Sequence, residues 1–170
     1  QPRVGTRGIG DLANPIQRLV PRVLPHPQDR LGLVDHDHQT GVTELVSRAW
    51  NGALADADSF VPSISADGRY VAFYSNATNL VLGDTNGYAD VFRYDRLLRT
   101  TVRVSLGEWL QQGDDHSQCS AISQDGGVAA FYSYAENLVP GDSNGVTDVF
   151  VRDFSRLLPD TTKYLPVIFK

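Results

Sequence analysis

The sequence contains no methionine, not even at position 1, and one cysteine, Cys119. A single thiol excludes an internal disulfide framework. Cys119 is expected to be a small buried residue within a strand, with an intermolecular bridge as the other reading. The lack of an initiator methionine fits a processed chain, or one cut from a longer protein. It points toward a secreted, extracellular or cell-surface protein whose signal was removed just before Gln1. Glutamate is scarce as well. Only Glu44, Glu108 and Glu136 are Glu, so 20 − 3 = 17 of the acidic residues are Asp. Asp disfavours helix interiors and suits turns, caps and oxygen-ligand sites, so little helix is expected. The net charge of −5 argues against a nucleic-acid partner, whose phosphates require a basic face. No apolar run approaches the ~20 residues that span a bilayer.

What remains is a chain of 170 residues, 41% hydrophobic, enough for one domain with a real core. Its dominant feature is a duplication. Ile64 aligns with Ile122, an offset of 122 − 64 = 58. The same offset carries Ala72-Phe73-Tyr74-Ser75 onto Ala130-Phe131-Tyr132-Ser133, and Asp84, Asn86, Gly87 and Asp90 onto Asp142, Asn144, Gly145 and Asp148. No gap is needed, and the register runs backward to place Leu33-Val34 on Val91-Phe92. A fixed period of this kind marks a repeat architecture. The chain divides into a half unit at 33–47, a unit at 58–105 and a unit at 116–158. Residues 1–32 fall outside the register and read as a Pro- and Arg-rich extended arm. Residues 159–170 read as an apolar edge strand.

Each unit carries four strand signals. Pro62 to Ser65 is short, and Asp67-Gly68 is a hairpin turn in which Gly accepts positive φ. Arg69 to Ser75 is apolar and aromatic, as a buried strand should be. A long loop through Gly87 precedes Ala89 to Tyr94, and Thr100 to Ser105 follows. The fold class is therefore all-β: four-stranded antiparallel propeller-type blades, two full or nearly full and one partial, too few to close a ring alone.

"PSISADGRYVAF", and more loosely "SAISQDGGVAAF", resemble the signature of the TolB-type, WD40-like (PD40) β-propeller repeat. The likeness covers about 33–153. It implies a four-stranded blade in an extracytoplasmic or surface-associated protein, and no single activity. Closed propellers have typically 4 to 8 blades, more than this chain supplies. Open blade edges invite pairing with other chains. The leading expectation is a non-enzymatic structural or assembly subunit that self-associates into a ring or fibre. The alternatives are a recognition module for protein or glycan, and a fragment of a larger TolB-like propeller protein or hydrolase.

The tail bears on assembly. Tyr164, Leu165, Val167, Ile168 and Phe169 form either the fourth strand of the last unit, shifted, or a strand added to another subunit. Pro166 confines it to an edge.

Several motifs carry candidate chemistry. Gly141-Asp142-Ser143-Asn144-Gly145 matches the G-x-S-x-G nucleophile elbow, but that motif needs a following helix. Here a β-rich segment follows, and the sister copy has Thr85. The same stretch suits a cation better. Asp84, Asn86, Asp90 and a Tyr88 carbonyl place oxygens in a curled loop, repeated at Asp142, Asn144, Asp148 and Val146. Calcium favours six to eight such oxygens. The competing reading is an Asx turn, in which the side chains cap backbone N–H groups. Asp56 and Asp58, with Asp114 and Asp115, either complete a cation shell or are solvated turn residues. Asp35-His36-Asp37-His38 places two His on one strand face without an evident third ligand for zinc. Asn76-Ala77-Thr78 is an N-glycosylation acceptor. Phe73, Tyr74, Phe92, Phe131, Tyr132 and Phe150 are expected in the core, and Trp50 and Trp109 at surface contacts.

Overall fold

A computed structural model describes residues 18–23, 30–37, 41–154 and 167–169. Among these residues eleven strands form three antiparallel sheets, each a simple meander. The first sheet holds β1 (Arg18–Val23), β2 (Leu31–His36) and β3 (Thr43–Leu45). The second holds β4 (Ser59–Ile64), β5 (Tyr70–Ser75), β6 (Asp90–Asp95) and β7 (Thr100–Arg103). The third holds β8 (Ser117–Ile122), β9 (Val128–Ser133), β10 (Asp148–Asp153) and β11 (Val167–Phe169). A short 3-10 turn at Glu108–Leu110 lies between the last two sheets. Among the described residues no sheet closes on itself, and no helix is long and apolar enough to cross a membrane.

The sheets stack as blades in chain order. β4 packs against β1 and β2, and β8 packs against β4, β5 and β6. Each interface has its own core, and seven positions of the first recur in the second displaced by 58. Leu33, Val46, Val71, Phe73, Ala77, Leu80 and Phe92 fill the first. Val91, Val104, Ala129, Phe131, Ala135, Leu138 and Phe150 fill the second. Alternation along β6 makes this work: Phe92 and Tyr94 serve the first interface, and Val91 serves the second. A middle blade is thus apolar on both faces, which explains the near-continuous apolar run of β5.

Polar links repeat in the same register. Ser59 Oγ donates to Ser75 Oγ at 2.9 Å, and Ser117 Oγ to Ser133 Oγ at 2.8 Å. In each hairpin a Ser hydroxyl binds the turn Asp at 2.6 Å: Ser65 to Asp67, and Ser123 to Asp125. The same two hydroxyls accept from the backbone N–H groups of Tyr70 and Val128, donors that the strands leave over.

Two expectations need amending, and the tail takes the first of its two expected places. Residues 18–23 of the N-terminal arm are a strand, pairing antiparallel with β2 as β5 pairs with β6. The gapless register hid this, because residues 24–30 connect β1 to β2 where 76–89 connect β5 to β6. Val167–Phe169 pair with β10 of their own blade, in the slot that β7 holds beside β6. The edge of β11 facing β10 is therefore used within the chain; Tyr164 and Leu165 lie outside the described residues. Cys119 is exposed, not buried. The register of β8 shifts between Gln118 and Ser120, and Cys119 sits in this bulge at φ 42°. Val61 occupies the matching bulge of β4 at φ 47°. An extra residue in a bulge is unpaired and turned out of the ladder.

Candidate functional site: the inter-blade loops and clefts

The loop ahead of β6 curls around an internal cation. Asn86 Oδ1 accepts from the Tyr88 N–H at 3.4 Å, and Asn86 Nδ2 donates to Asp90 Oδ2 at 3.2 Å and to the Gly113 carbonyl at 3.0 Å. The Arg103 guanidinium on β7 then bridges both carboxylates, reaching Asp84 Oδ2 at 2.9 Å and Asp90 Oδ2 at 3.2 Å. Ser105 Oγ donates to Asp90 Oδ1 at 2.6 Å, and Gln112 Oε1 accepts from Arg103 at 2.6 Å. All three charged side chains are buried, that of Asp84 only 2% exposed. Burial pushes the Asp84 carboxyl up to about 6, against the pull of Arg103, and burial also raises Asp90. Two acids share one arginine, so the site takes up a proton as pH falls below 6. Arg103 is the residue that sequence reasoning missed. Its repeat mate is Thr161, so no second copy drew attention to it. The available signal was the buried acid pair itself, which requires a counter-charge.

The second loop keeps the amide geometry. Asn144 Nδ2 donates to Asp148 Oδ2 at 3.0 Å, and Asn144 Oδ1 accepts from the Val146 N–H at 3.1 Å. Asn86 and Asn144 are therefore Asx-turn residues in both copies. Ser143 stands in the exposed part of this loop, and β10 follows it. Gly87 and Gly145 adopt φ of 75° and 66°, which the curl requires.

Asp56 caps Thr78, accepting from its N–H at 2.8 Å and from its hydroxyl at 2.6 Å. Asp114 accepts from the Glu136 N–H, and Asp115 from the His116 N–H. Asp58 Oδ1 accepts from the Leu31 N–H at 2.6 Å and so ties the first blade to the second. Asn76 is exposed, and the Thr78 hydroxyl of its acceptor motif is the one held by Asp56. Asp35 is buried and pairs with Arg96 at 2.7 Å; burial raises its pKa. His36 shares a 2.9 Å hydrogen bond with the Thr43 hydroxyl, and His38 lies outside the described residues. Among the described residues no group of three or more His, Cys, Asp or Glu is arranged to hold a metal ion. Trp50 and Trp109 are both exposed.

Beside the loops, each blade interface opens into a cleft. The first, of about 600 Å³, is lined by Glu44, Arg48, Trp50, Tyr94 and Arg99 among others. Tyr94 Oη donates to Glu44 Oε1 at 2.9 Å, and burial with the neighbouring Glu44 pushes its pKa up to about 12. The second, of about 390 Å³, is lined by Arg93, Val102, Leu106, Arg152 and Phe154 among others. The walls correspond by the repeat: Glu44 with Val102, Arg48 with Leu106, Tyr94 with Arg152.

No protein-family model matches the sequence, and no curated protein matches it. Among solved structures, the crystal structure of the tricorn protease is similar at a TM-score of 0.45 and 20% identity, over 78% of this chain and 12% of that one. A likeness at that level assigns neither a family nor an activity, and this chain spans a small part of that protease.

Proposed function

We propose that this chain is a non-enzymatic, extracellular blade module of the PD40 type that acts by association, adding blades from further copies of itself to make a ring or a fibre. The supporting observation is Val149. It is 64% exposed, whereas its repeat mate Val91 is fully buried under the third blade. On the same face Ala130, Tyr132 and Val151 are half-buried. The third blade thus presents the apolar pattern that the second blade uses to bind its neighbour. Burying such a face gains roughly 25 cal/mol per Å² of apolar area. Heterologous stacking of this kind closes into rings or propagates as filaments.

Calcium enters this reading at the second loop, through Asp142, Asn144, Asp148 and the Val146 carbonyl. In the first loop Arg103 already supplies the cation to Asp84 and Asp90. Light scattering in calcium and again with chelator tests both parts. A mass above the 18.7 kDa of one chain that falls with chelator supports calcium-stabilised assembly. A calcium-insensitive assembly removes the metal from the proposal. A monomer in both buffers removes self-assembly.

A second reading, a recognition module, is favoured by the larger cleft. Exposed Trp50 beside Glu44, Arg48 and Arg99 offers an aromatic face with charged groups around it.

A further inference from the structure

The second cleft contains a buried cation that meets no acid among the described residues. Arg152, on β10, is 2% exposed. One terminal nitrogen donates to the Val104 and Leu106 carbonyls. Among the described residues no carboxylate pairs with it. Burial and the nearby Arg93 charge press its pKa down to about 9, so it is still protonated at neutral pH. The acids near this cleft, Asp84 and Asp90, are held by Arg103. Arg93 lies 3.7 Å above the Phe154 ring and donates to the Gly126 carbonyl at 2.8 Å.

The first cleft shows what is missing. There the tyrosine at this register meets Glu44; elsewhere between the same two blades Asp35, the mate of Arg93, meets Arg96, the mate of Phe154. Passing to the second cleft replaces Glu44 by Val102 and Asp35 by Arg93, and Tyr94 by Arg152. Two acids are lost; Arg93 and Arg152 are gained where Arg48 and Arg96 give way to Leu106 and Phe154, so the number of bases holds while their acid partners go. An isolated buried charge is costly, and it favours any anion that reaches it. The rest of the lining is aliphatic at Val81, Leu82, Val102, Leu106 and Leu110, with Arg103, already paired to Asp84 and Asp90, and Gln112 as its polar members. The volume of about 390 Å³ lies in the range of small-molecule sites.

We propose that the cleft between the second and third blades binds a small monocarboxylate with a short aliphatic chain, its carboxylate on the Arg152 guanidinium and its chain against Val81, Val102 and Leu106. The planar guanidinium suits a carboxylate, which it can hold through paired N–H donors. The aliphatic wall selects against inorganic anions, which bring no apolar surface to bury.

The test titrates the full chain with hexanoate, 1-hexanol and inorganic phosphate, followed by amide NMR shifts. Saturable hexanoate binding is expected, with shifts at Arg93, Leu106, Arg152 and Phe154, and at least tenfold weaker binding of hexanol and phosphate. Two variants convert the cleft toward its sister. Arg152→Tyr installs the tyrosine of the first cleft, and Val102→Glu installs its acid. Each should weaken hexanoate at least tenfold. Equal binding of hexanoate and hexanol would reduce the site to an apolar crevice and overturn the proposal. Phosphate binding as tight as hexanoate overturns the aliphatic part, and unchanged hexanoate binding in Val102→Glu overturns the role of Arg152. The ligand comparison on the unmodified chain decides the matter even where Arg152→Tyr does not fold.

Discussion

Between the first and second blades, Asp35 pairs with Arg96 and Tyr94 donates to Glu44. At the same register between the second and third, Arg93 stacks on Phe154, and Arg152 and Val102 line one cleft. Under both runs the same set of seven apolar positions. The comparison separates two layers of information in one repeat. The seven shared positions hold the blades together and are apolar in both copies. The rim positions do not decide the stacking, so they are free to differ, and chemistry specific to each cleft accumulates there.

The largest effects should come from the shared layer. Phe92 and Phe150 are both fully buried, each stacked on or tilted against a phenylalanine of the neighbouring strand. Phe92→Ala and Phe150→Ala should each cost about 3–5 kcal/mol in urea unfolding. Markedly unequal losses would break the equivalence of the two interfaces. Arg103→Met belongs to the second interface alone. It leaves the buried Asp84 and Asp90 without a cation and should cost about 3–5 kcal/mol at neutral pH. The loss should shrink toward pH 4, where the carboxyls take up protons.

Gly126 sharpens the contrast at the hairpin. It adopts φ 71°, and a β-carbon there would lie 2.0 Å from Cδ2 of Tyr70 on the second blade. Gly126→Ala should cost about 1–3 kcal/mol, read as a drop in thermal midpoint. Next comes Tyr94→Phe, which removes the hydroxyl from Glu44 in the first cleft. It should cost about 0.5–1.5 kcal/mol.

A pH dependence completes the set. Asp84 titrates at about 6 in the folded chain against an ordinary 3.8. The folded state therefore binds more protons between those values. The stability this contributes is full below about pH 3.8 and is lost as pH rises through 6. Asp84→Asn should flatten that fall in a series of unfolding curves. An unchanged slope would mean that another group sets it.

The layer that repeats was legible in the sequence, and the layer that does not was hidden. The offset of 58 placed β4 to β10 and the core phenylalanines, because packing fixes residue type at every copy. It could not reveal β1, whose shorter connection breaks the register, or Arg103, which has no copy. The bulge at Cys119 also escaped, since alternation in Ser117–Ile122 reads as an unbroken strand. The loops at Asp84 and Asp142 looked alike in sequence. They differ because the neutralising charge of the first comes from a separate strand.

The third blade exposes, at Val149, a copy of the face that Val91 buries. Hydrogen exchange of the 146–151 segment, followed by mass spectrometry across a range of protein concentration, tests it most directly. Protection of that segment should rise with concentration, and Val149→Glu should abolish the rise. Exchange that is independent of concentration, with 146–151 no more protected in the wild type than in the variant, would contradict it.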